Sequence, residues 1–452
     1  MPDNRVLVIG TTPDYIYHID NNFPGRAIFV TDKIHQGAFE ELPLNDNSIF
    51  FCHLSNTSEV YNSIDSHLKR WDQTASGIVC FDCEWLDLTS VLAEMYKLPY
   101  SSRETVKYCR NKFYSKKKWL EKGIRCPDNE LIENEHQAYK FFERVNGPIV
   151  LKPLSGTGSE LTFRCDDKPG VENAYHMIRD GLKQRSKSHL YQKNILNPED
   201  SIIPSEIILG EEFIEGCEYS CDFILDNSEI KIIRIAKKCQ LPDMPFGTSI
   251  GYLVPARLPG WIDDSFFNNI LKEACEALGI IRSICNVDLM ITGNEIVFIE
   301  ITPRPGGDFI PLLIKKCCGL DLLELALDFA EGKNISIPPP EKWKNLAGLR
   351  LFADQQGIIK SIDITALEKD SCVLDVIIIR KPGEAVFLPP EDYDTWLLGY
   401  LIFEPNDESL EYQCVELRKK LTIYLDLYDG QKSARDRSQG SGTVKSADTK
   451  TW

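Results

Sequence analysis

The stretch that most restricts this chain runs from Asn286 to Pro311, where two short apolar runs are each broken by one acid. Val287, Leu289 and Ile291 alternate with Asp288, and Val297, Ile299 and Ile301 alternate with Glu300. That period is the period of a strand, and Gly293-Asn294 supplies a turn between the two. A carboxylate in a buried strand is costly unless it is paired or ligates a metal. Arg304 and the pair Gly306-Gly307 follow at once. Acids, an arginine and bare backbone in one stretch point to a metal and an anionic group held together. The same pattern also fits a structural ion pair between either acid and Arg304.

Pairing register decides whether the two acids share a face. A two-residue turn would pair Thr292 with Glu295 and set Asp288 opposite Ile299, leaving Glu300 on the other face. A three-residue turn, Gly293-Asn294-Glu295, pairs Thr292 with Ile296 and sets Asp288 opposite Glu300. The opposite face then becomes wholly apolar. The pattern therefore predicts the three-residue turn, with Gly293 or Asn294 at positive φ and the two carboxylates side by side.

At 452 residues the chain is long enough for several domains and a large core. Its net charge of -17 argues against a nucleic-acid partner, which needs a basic face. No apolar run is long enough to cross a bilayer, and the start of the chain lacks the pattern of a signal peptide. A cytoplasmic protein is expected, with its 15 cysteines as reduced thiols. Cys80-Phe81-Asp82-Cys83 is a lone CxxC, a weak redox or zinc signal. All 7 histidines lie at or before His189, so a metal at Asp288 and Glu300 would be held by oxygens. That favours magnesium, with manganese as the alternative, over zinc.

Strands alternate with helices over roughly the first hundred residues, which predicts a small parallel, Rossmann-like α/β domain. No GxGxxG follows its first strand, so a dinucleotide fingerprint is absent. Val106 to Gly123 reads as one helix carrying Lys112, with most of the run Lys116-Lys117-Lys118 as a solvated face. Gly147 to Cys165 reads as a hairpin: an apolar strand ending on Lys152, then a mobile tip, Ser155-Gly156-Thr157-Gly158-Ser159. Backbone N–H groups and hydroxyls in such a tip suit phosphate oxygens, and an ordinary flexible hairpin fits it too. A second hairpin, Glu218 to Ala236, ends near Arg234, Lys237 and Lys238. Beyond Pro338-Pro339-Pro340 a β-rich region is expected, closing with a helix from Glu411 to Asp426. The expected division is 1–105, 106–205, 206–335 and 336–429, with a disordered tail over 430–452.

Taken in order, a helix lysine, a strand lysine, a glycine-rich hairpin, Glu-Glu-Phe-Ile-Glu-Gly-Cys-Glu, then Asp288 and Glu300 before Pro-Arg-Pro-Gly-Gly resemble the ATP-grasp superfamily. The pattern is most similar to the carboxylate–amine ligases that make dipeptides, the L-amino-acid ligases. The resemblance runs from about Val106 to Lys333. It implies two α+β subdomains gripping ATP, with an N-terminal α/β domain and a C-terminal β-rich domain. It implies Lys112 and Lys152 on the ATP phosphates, and Ser155, Gly156, Thr157, Gly158 and Ser159 as the loop closing over them. Glu211, Glu212, Phe213 and Ile214 match the hinge against adenine, and Glu218 the acid on the ribose. Asp288 and Glu300 match the magnesium carboxylates, and Arg304 the arginine of the acyl phosphate and tetrahedral intermediate. Gly306 and Gly307 lie where backbone amides meet substrate oxygens. The implied partners are a small carboxylate and a small amine, and a homodimer is open. One position departs: Thr302 stands where many relatives have a metal-ligating Asn, which weakens the case for a second tightly held magnesium. The alternatives are another ATP-grasp reaction, such as carboxylation through carboxyphosphate, or a nucleotide-binding protein without chemistry.

Overall fold

A computed structural model describes residues 3–39, 44–186, 188–191 and 202–427. The tail expected to be disordered lies outside them. Four parallel strands open the chain, in the order Ile49–Cys52, Ala27–Asp32, Asp3–Ile9, Gln73–Val79. Both faces of this sheet are covered, as a parallel sheet requires. Leu7 and Ile9 join a cluster with Leu88 and Leu92 of helix Leu86–Tyr96. Val6 and Val8 join another with Leu323 and Ala326 of helix Leu322–Ala330, far along the sequence. The approach is close enough that a Cβ on Gly77 would sit 2.5 Å from the Ala330 carbonyl oxygen.

The next sheet is antiparallel, in the order Asn129–Ile132, Ile208–Glu212, Ile149–Pro153, Phe163–Cys165. Helices Glu135–Val145 and Lys168–Gln184 cover it through Ala138, Phe141, Val171 and Ile178. The segment read as one helix from Val106 to Gly123 is two, Arg103–Arg110 and Lys112–Glu121. Asn111 breaks it. Its backbone leaves helical geometry at φ -97 and ψ 104, and its side chain accepts from the amides of Phe113 and Tyr114, both at 3.1 Å. An asparagine cap of this kind competes with helix continuation. It places Lys112 in the first turn of the new helix.

An eight-stranded antiparallel sheet holds the rest together, in the order Ile296–Thr302, Ser283–Ile291, Cys217–Asp226, Glu229–Cys239, Gly251–Val254, Leu346–Phe352, Leu397–Phe403, Val373–Ile378. One continuous sheet thus runs past residue 336, joining the acidic hairpin to the β-rich region. Along Cys217–Asp226, Tyr219, Cys221, Phe223 and Leu225 enter an apolar cluster with Trp119 and Leu271. Glu218, Ser220 and Asp222 alternate with them and point to the other face. The helix expected from Glu411 to Asp426 stops early, at Leu410–Arg418, and Thr422–Leu427 is a strand paired with Gly357–Asp363. Thr422-Ile423-Tyr424 is β-branched and aromatic, and it alternates partly buried with exposed. Strand Ile49–Cys52 also went unread in the sequence. Among the described residues no helix is long and apolar enough to cross a membrane.

Candidate active site

Asp288 and Glu300 are direct partners on neighbouring strands, as the sequence predicts, but the cause differs. The turn is the two-residue one: Thr292 donates its amide to the Glu295 carbonyl at 3.0 Å, and Ile291 pairs with Ile296. Neither Gly293 nor Asn294 takes positive φ. The Thr292 hydroxyl instead accepts from the Glu295 amide at 3.1 Å and closes the turn. The register is restored by a bulge further along, where Leu289 pairs with Phe298 and Asp288 with Glu300, leaving Ile299 as the extra residue. Phe298, not Ile299, therefore joins Val287, Leu289 and Ile301 in the apolar layer.

The bulge has a partner. Lys116, fully buried, donates to the Ile299 carbonyl at 2.9 Å and lies 2.8 Å from Glu211 Oε1. Lys116 is thus the one member of the lysine run that turns inward: it is one helical turn from Lys112, on the same face. Lys112 lies 3.2 Å from Glu300 Oε2 and donates to the Gly156 carbonyl at 3.3 Å, so it links the acidic hairpin to the glycine-rich tip. Lys152, at the end of its buried strand, lies 2.6 Å from Glu211 Oε2. A second group completes the face. Lys238 lies 2.9 Å from Asp288 Oδ2 and 2.6 Å from Glu218 Oε1, and Gln240 donates to the other Glu218 oxygen.

Four lysines and four carboxylates thus interleave, and their balance is uneven. Burial opposes the charge on Glu211, but Lys116 and Lys152 outweigh it and hold its carboxyl down to about 2. Burial likewise opposes Glu300, and Lys112 and Lys152 keep it below the usual range. Glu218 goes the other way: burial raises it, and Lys238 does not fully compensate. Lys152 is the under-compensated cation. Burial pushes its ammonium down to about 8, because Glu211 is shared with Lys116. A buried ammonium short of countercharge is an anion site in waiting.

Arg304 donates through Nε to Cys83 Sγ at 3.0 Å and through Nη1 to the Pro305 carbonyl at 2.6 Å. Cys83 belongs to the CxxC, whose other member, Cys80, donates to the Asp82 carbonyl at 3.0 Å. All described cysteines are free, and among the described residues neither of these two joins a group of three metal-ligating side chains. The loop carrying Arg304 is held from below by Asp222, which is fully buried. Asp222 accepts from the Gly306 amide at 2.9 Å, from Asn286 Nδ2 at 2.8 Å and from Arg234 Nε at 2.7 Å. A Cβ on Gly306 would stand 2.8 Å from Asp222 Oδ2, which explains glycine there. The expectation that the Gly306 amide meets substrate oxygens is corrected, since Asp222 already takes it.

The remaining expected positions are placed as follows. Glu211 turns its carboxylate to the lysines, and Glu212 turns its own to Arg125 and to the Asp128 amide at 3.1 Å. The Phe213 amide is taken by the Pro148 carbonyl at 3.1 Å, so of the expected hinge it offers no donor to adenine. Ile214 is buried beside it. In the glycine-rich tip, Ser155 Oγ donates to the Leu190 carbonyl at 2.6 Å and Ser159 Oγ to the Gly247 carbonyl at 2.9 Å. Gly156 and Gly158 adopt positive φ, and Thr157 lies between them. Gly307 lies next to Arg304, and Thr302 is buried at the end of its strand. Amide hydrogen exchange over 155–159 is expected to slow when ATP and magnesium are added, because phosphate would give these amides partners. Unchanged exchange would count against the loop's role.

Lys116, Lys238, Asp222 and Arg234 were missed as site residues. The signal for Asp222 was present: it interrupts Cys221, Phe223 and Leu225 as Asp288 interrupts its own strand.

The fold that carries these residues is a known one. Residues 145–311 match the ATP-grasp domain family, and the chain has the ATP-grasp fold. Within that class it is similar to the L-arginine-specific L-amino acid ligase of Bacillus subtilis, 24% identical over 340 residues, covering 72% of this chain and 73% of the relative. It is also 24% identical over 216 residues to the carbamoyl phosphate synthase large chain of Pseudomonas syringae pv. tomato. That match covers 47% of this chain and only 18% of the relative. Among solved structures, an L-amino acid ligase from Bacillus licheniformis superposes with a TM-score of 0.71 at 18% identity, over 94% of this chain and 100% of that one.

Proposed function

We propose that the protein is an ATP-dependent carboxylate–amine ligase. It joins amino acids, or an amino acid and a small carboxylate, through an acyl phosphate and releases ADP and phosphate. The observation that carries this reading is the convergence of Lys112, Lys116 and Lys152 on Glu211 and Glu300, with Lys152 short of countercharge. A polyphosphate supplies that countercharge. Asp288 and Glu300 fit magnesium: they are paired oxygen donors, now balanced by Lys238 and Lys112. When bound, magnesium supplies charge neutralisation at the phosphoryl oxygens.

The residues divide the reaction between them. A substrate carboxylate oxygen attacks the γ-phosphorus, and the bond to the ADP oxygen breaks. Lys112 and Lys152 offset the charge that gathers on the phosphoryl group. The neutral amine nitrogen then attacks the acyl carbon, the carbon–oxygen bond to phosphate breaks, and the phosphate departs with the electron pair and takes up the proton that the nitrogen sheds. Arg304 suits both the phosphate and the oxyanion, because its planar fork makes paired contacts.

A screen of amino-acid pairs for phosphate release tests this reading, together with trapping of the acyl phosphate as a hydroxamate by hydroxylamine. Release that needs ATP, a carboxylate and an amine is expected. Release driven by bicarbonate alone would favour carboxylation and overturn it.

A pH dependence follows. Lys152 is cationic below about 8 and loses its proton as pH rises through that value. The KM for ATP is therefore expected to climb above pH 8, by up to about tenfold per unit. In Lys152→Met, whose turnover is expected to be lost, the Kd for ATP read by direct binding should show no such climb. A KM that stays flat from neutral pH to well above 8 would exclude Lys152 as the phosphate contact.

A further inference from the structure

The N-terminal domain carries no expected site residue, yet it meets the side chain of Arg304. Cys80 follows strand Gln73–Val79 directly, and its thiol donates to the Asp82 carbonyl at 3.0 Å. Asp82 spends a carboxylate oxygen on the Glu84 amide, also at 3.0 Å, and so caps the short helical turn Cys83–Trp85. Trp85 seats the far end of that turn. Its ring stacks on His189 at 4.7 Å and fills the space that a Cβ on Gly10 would need. The CxxC is thus a braced turn. The group it leaves facing the site is the half-buried Cys83, whose Sγ accepts from Arg304 Nε at 3.0 Å.

Arg304 has a second place to go. A cavity of about 40 Å³ is lined by Arg304, Cys80 and Tyr100. The Tyr100 hydroxyl is buried and meets no hydrogen-bond partner among the described residues. Burial pushes that phenol well up, and the charge of Arg304 works against the shift, so the two groups sense each other. A buried oxygen without a partner is a competing acceptor for the guanidinium. Pro303 and Pro305 stiffen the backbone on either side of Arg304, which leaves the choice between the two acceptors to its side chain.

We infer that Cys83 is a positioning residue for the ligase reaction: it holds Arg304 toward the acyl phosphate and out of the cavity shared with Tyr100. The inference rests on the ligase reading. Sulfur suits the task because a thiol is only a weak acceptor. It fixes the direction of Nε and leaves the charge of the guanidinium for the anion. A carboxylate in its place would take two nitrogens of the fork and neutralise it.

The experiment reads phosphate release with the amino-acid pair that gives the fastest rate. Cys83→Ala is expected to lower kcat on the order of 10- to 100-fold through misplacement of Arg304. The KM for ATP should not move, because Lys112 and Lys152 hold the nucleotide. Cys83→Ser keeps an acceptor on a shorter bond, and its kcat should lie between those of Cys83→Ala and the unaltered protein. Cys83→Asp should be as slow as Arg304→Met, because the arginine is then neutralised. Adding Tyr100→Phe to Cys83→Ala removes the competing acceptor and should recover part of the loss. The contact is also read without turnover, by NMR of protein labelled at its arginine nitrogens. The Nε–H resonance that vanishes in Arg304→Met should shift in Cys83→Ala. An unshifted resonance, or an unchanged kcat in Cys83→Ala, overturns the proposal. So does a loss that appears in the KM for ATP instead of kcat, which would make Cys83 merely structural. If no pair supports phosphate release by the unaltered protein, the ligase reading fails first and the positioning role with it.

Discussion

Replacing Lys152 by methionine is expected to abolish ATP turnover while leaving Tm at or above that of the unaltered protein. Lys152 is buried at the end of an apolar strand, and it shares its countercharge, Glu211, with Lys116. Removing it leaves Glu211 and Lys116 as a one-to-one pair, so no buried charge is orphaned. The folded state also loses an ammonium that burial disfavours. What disappears is the cation that meets the transferring phosphoryl group, a loss on the order of 10²–10³-fold in kcat. Glu300→Ala should be as severe, because it removes one of the paired acids, while its partner Lys112 keeps the Gly156 carbonyl. Activity and melting are measured on the same preparations. Near-normal turnover in either folded variant would remove these residues from the site. A Tm several degrees lower for Lys152→Met would show that the lysine is structural. The opposite movement of activity and stability is the signature of a functional site that the fold strains to hold.

How much of this was legible follows from where each signal resides. Alternation revealed the acidic hairpin, because Asp288 and Glu300 stand out against apolar neighbours of strict period. The pairing of the two acids was also legible, since burying the opposite face leaves few registers. The bulge that achieves it was not. Ile299 and Val297 look alike in an apolar run, and nothing local says that Lys116 will bond the Ile299 carbonyl. That bond joins residues far apart in the chain and belongs to tertiary structure.

Lys116 illustrates the opposite failure. In Lys116-Lys117-Lys118 the charge run masks the helical period, which separates a buried residue from two solvated ones. The break at Asn111 hid it further, because a helix that restarts changes which residues share a face.

The largest stability effect is expected at Asp222, a residue with no part in the chemistry as drawn. Its carboxylate is fully buried and is met by Arg234, Asn286 and the Gly306 amide. Arg234 is nearly as buried and spends Nη1 on the Ser220 carbonyl at 2.9 Å. Asp222→Ala deletes one half of a buried ion pair and leaves the guanidinium without countercharge. Such deletions cost about 3–5 kcal/mol. The same substitution releases the Gly306 amide, and with it the loop that presents Arg304. Activity should therefore fall by more than the folded fraction alone accounts for. The double variant Asp222→Leu, Arg234→Met separates the two effects. Replacing a buried pair by apolar groups of similar volume is often neutral, so most of the stability should return. The anchor for Gly306 does not return, and the activity of the folded double variant should stay low. Denaturant unfolding gives the first quantity, and phosphate release by the folded protein gives the second. If Asp222→Ala unfolds at the same denaturant concentration as the unaltered protein, the buried pair does not carry the stability assigned to it. If the double variant recovers full activity, Gly306 does not need Asp222 to position Arg304.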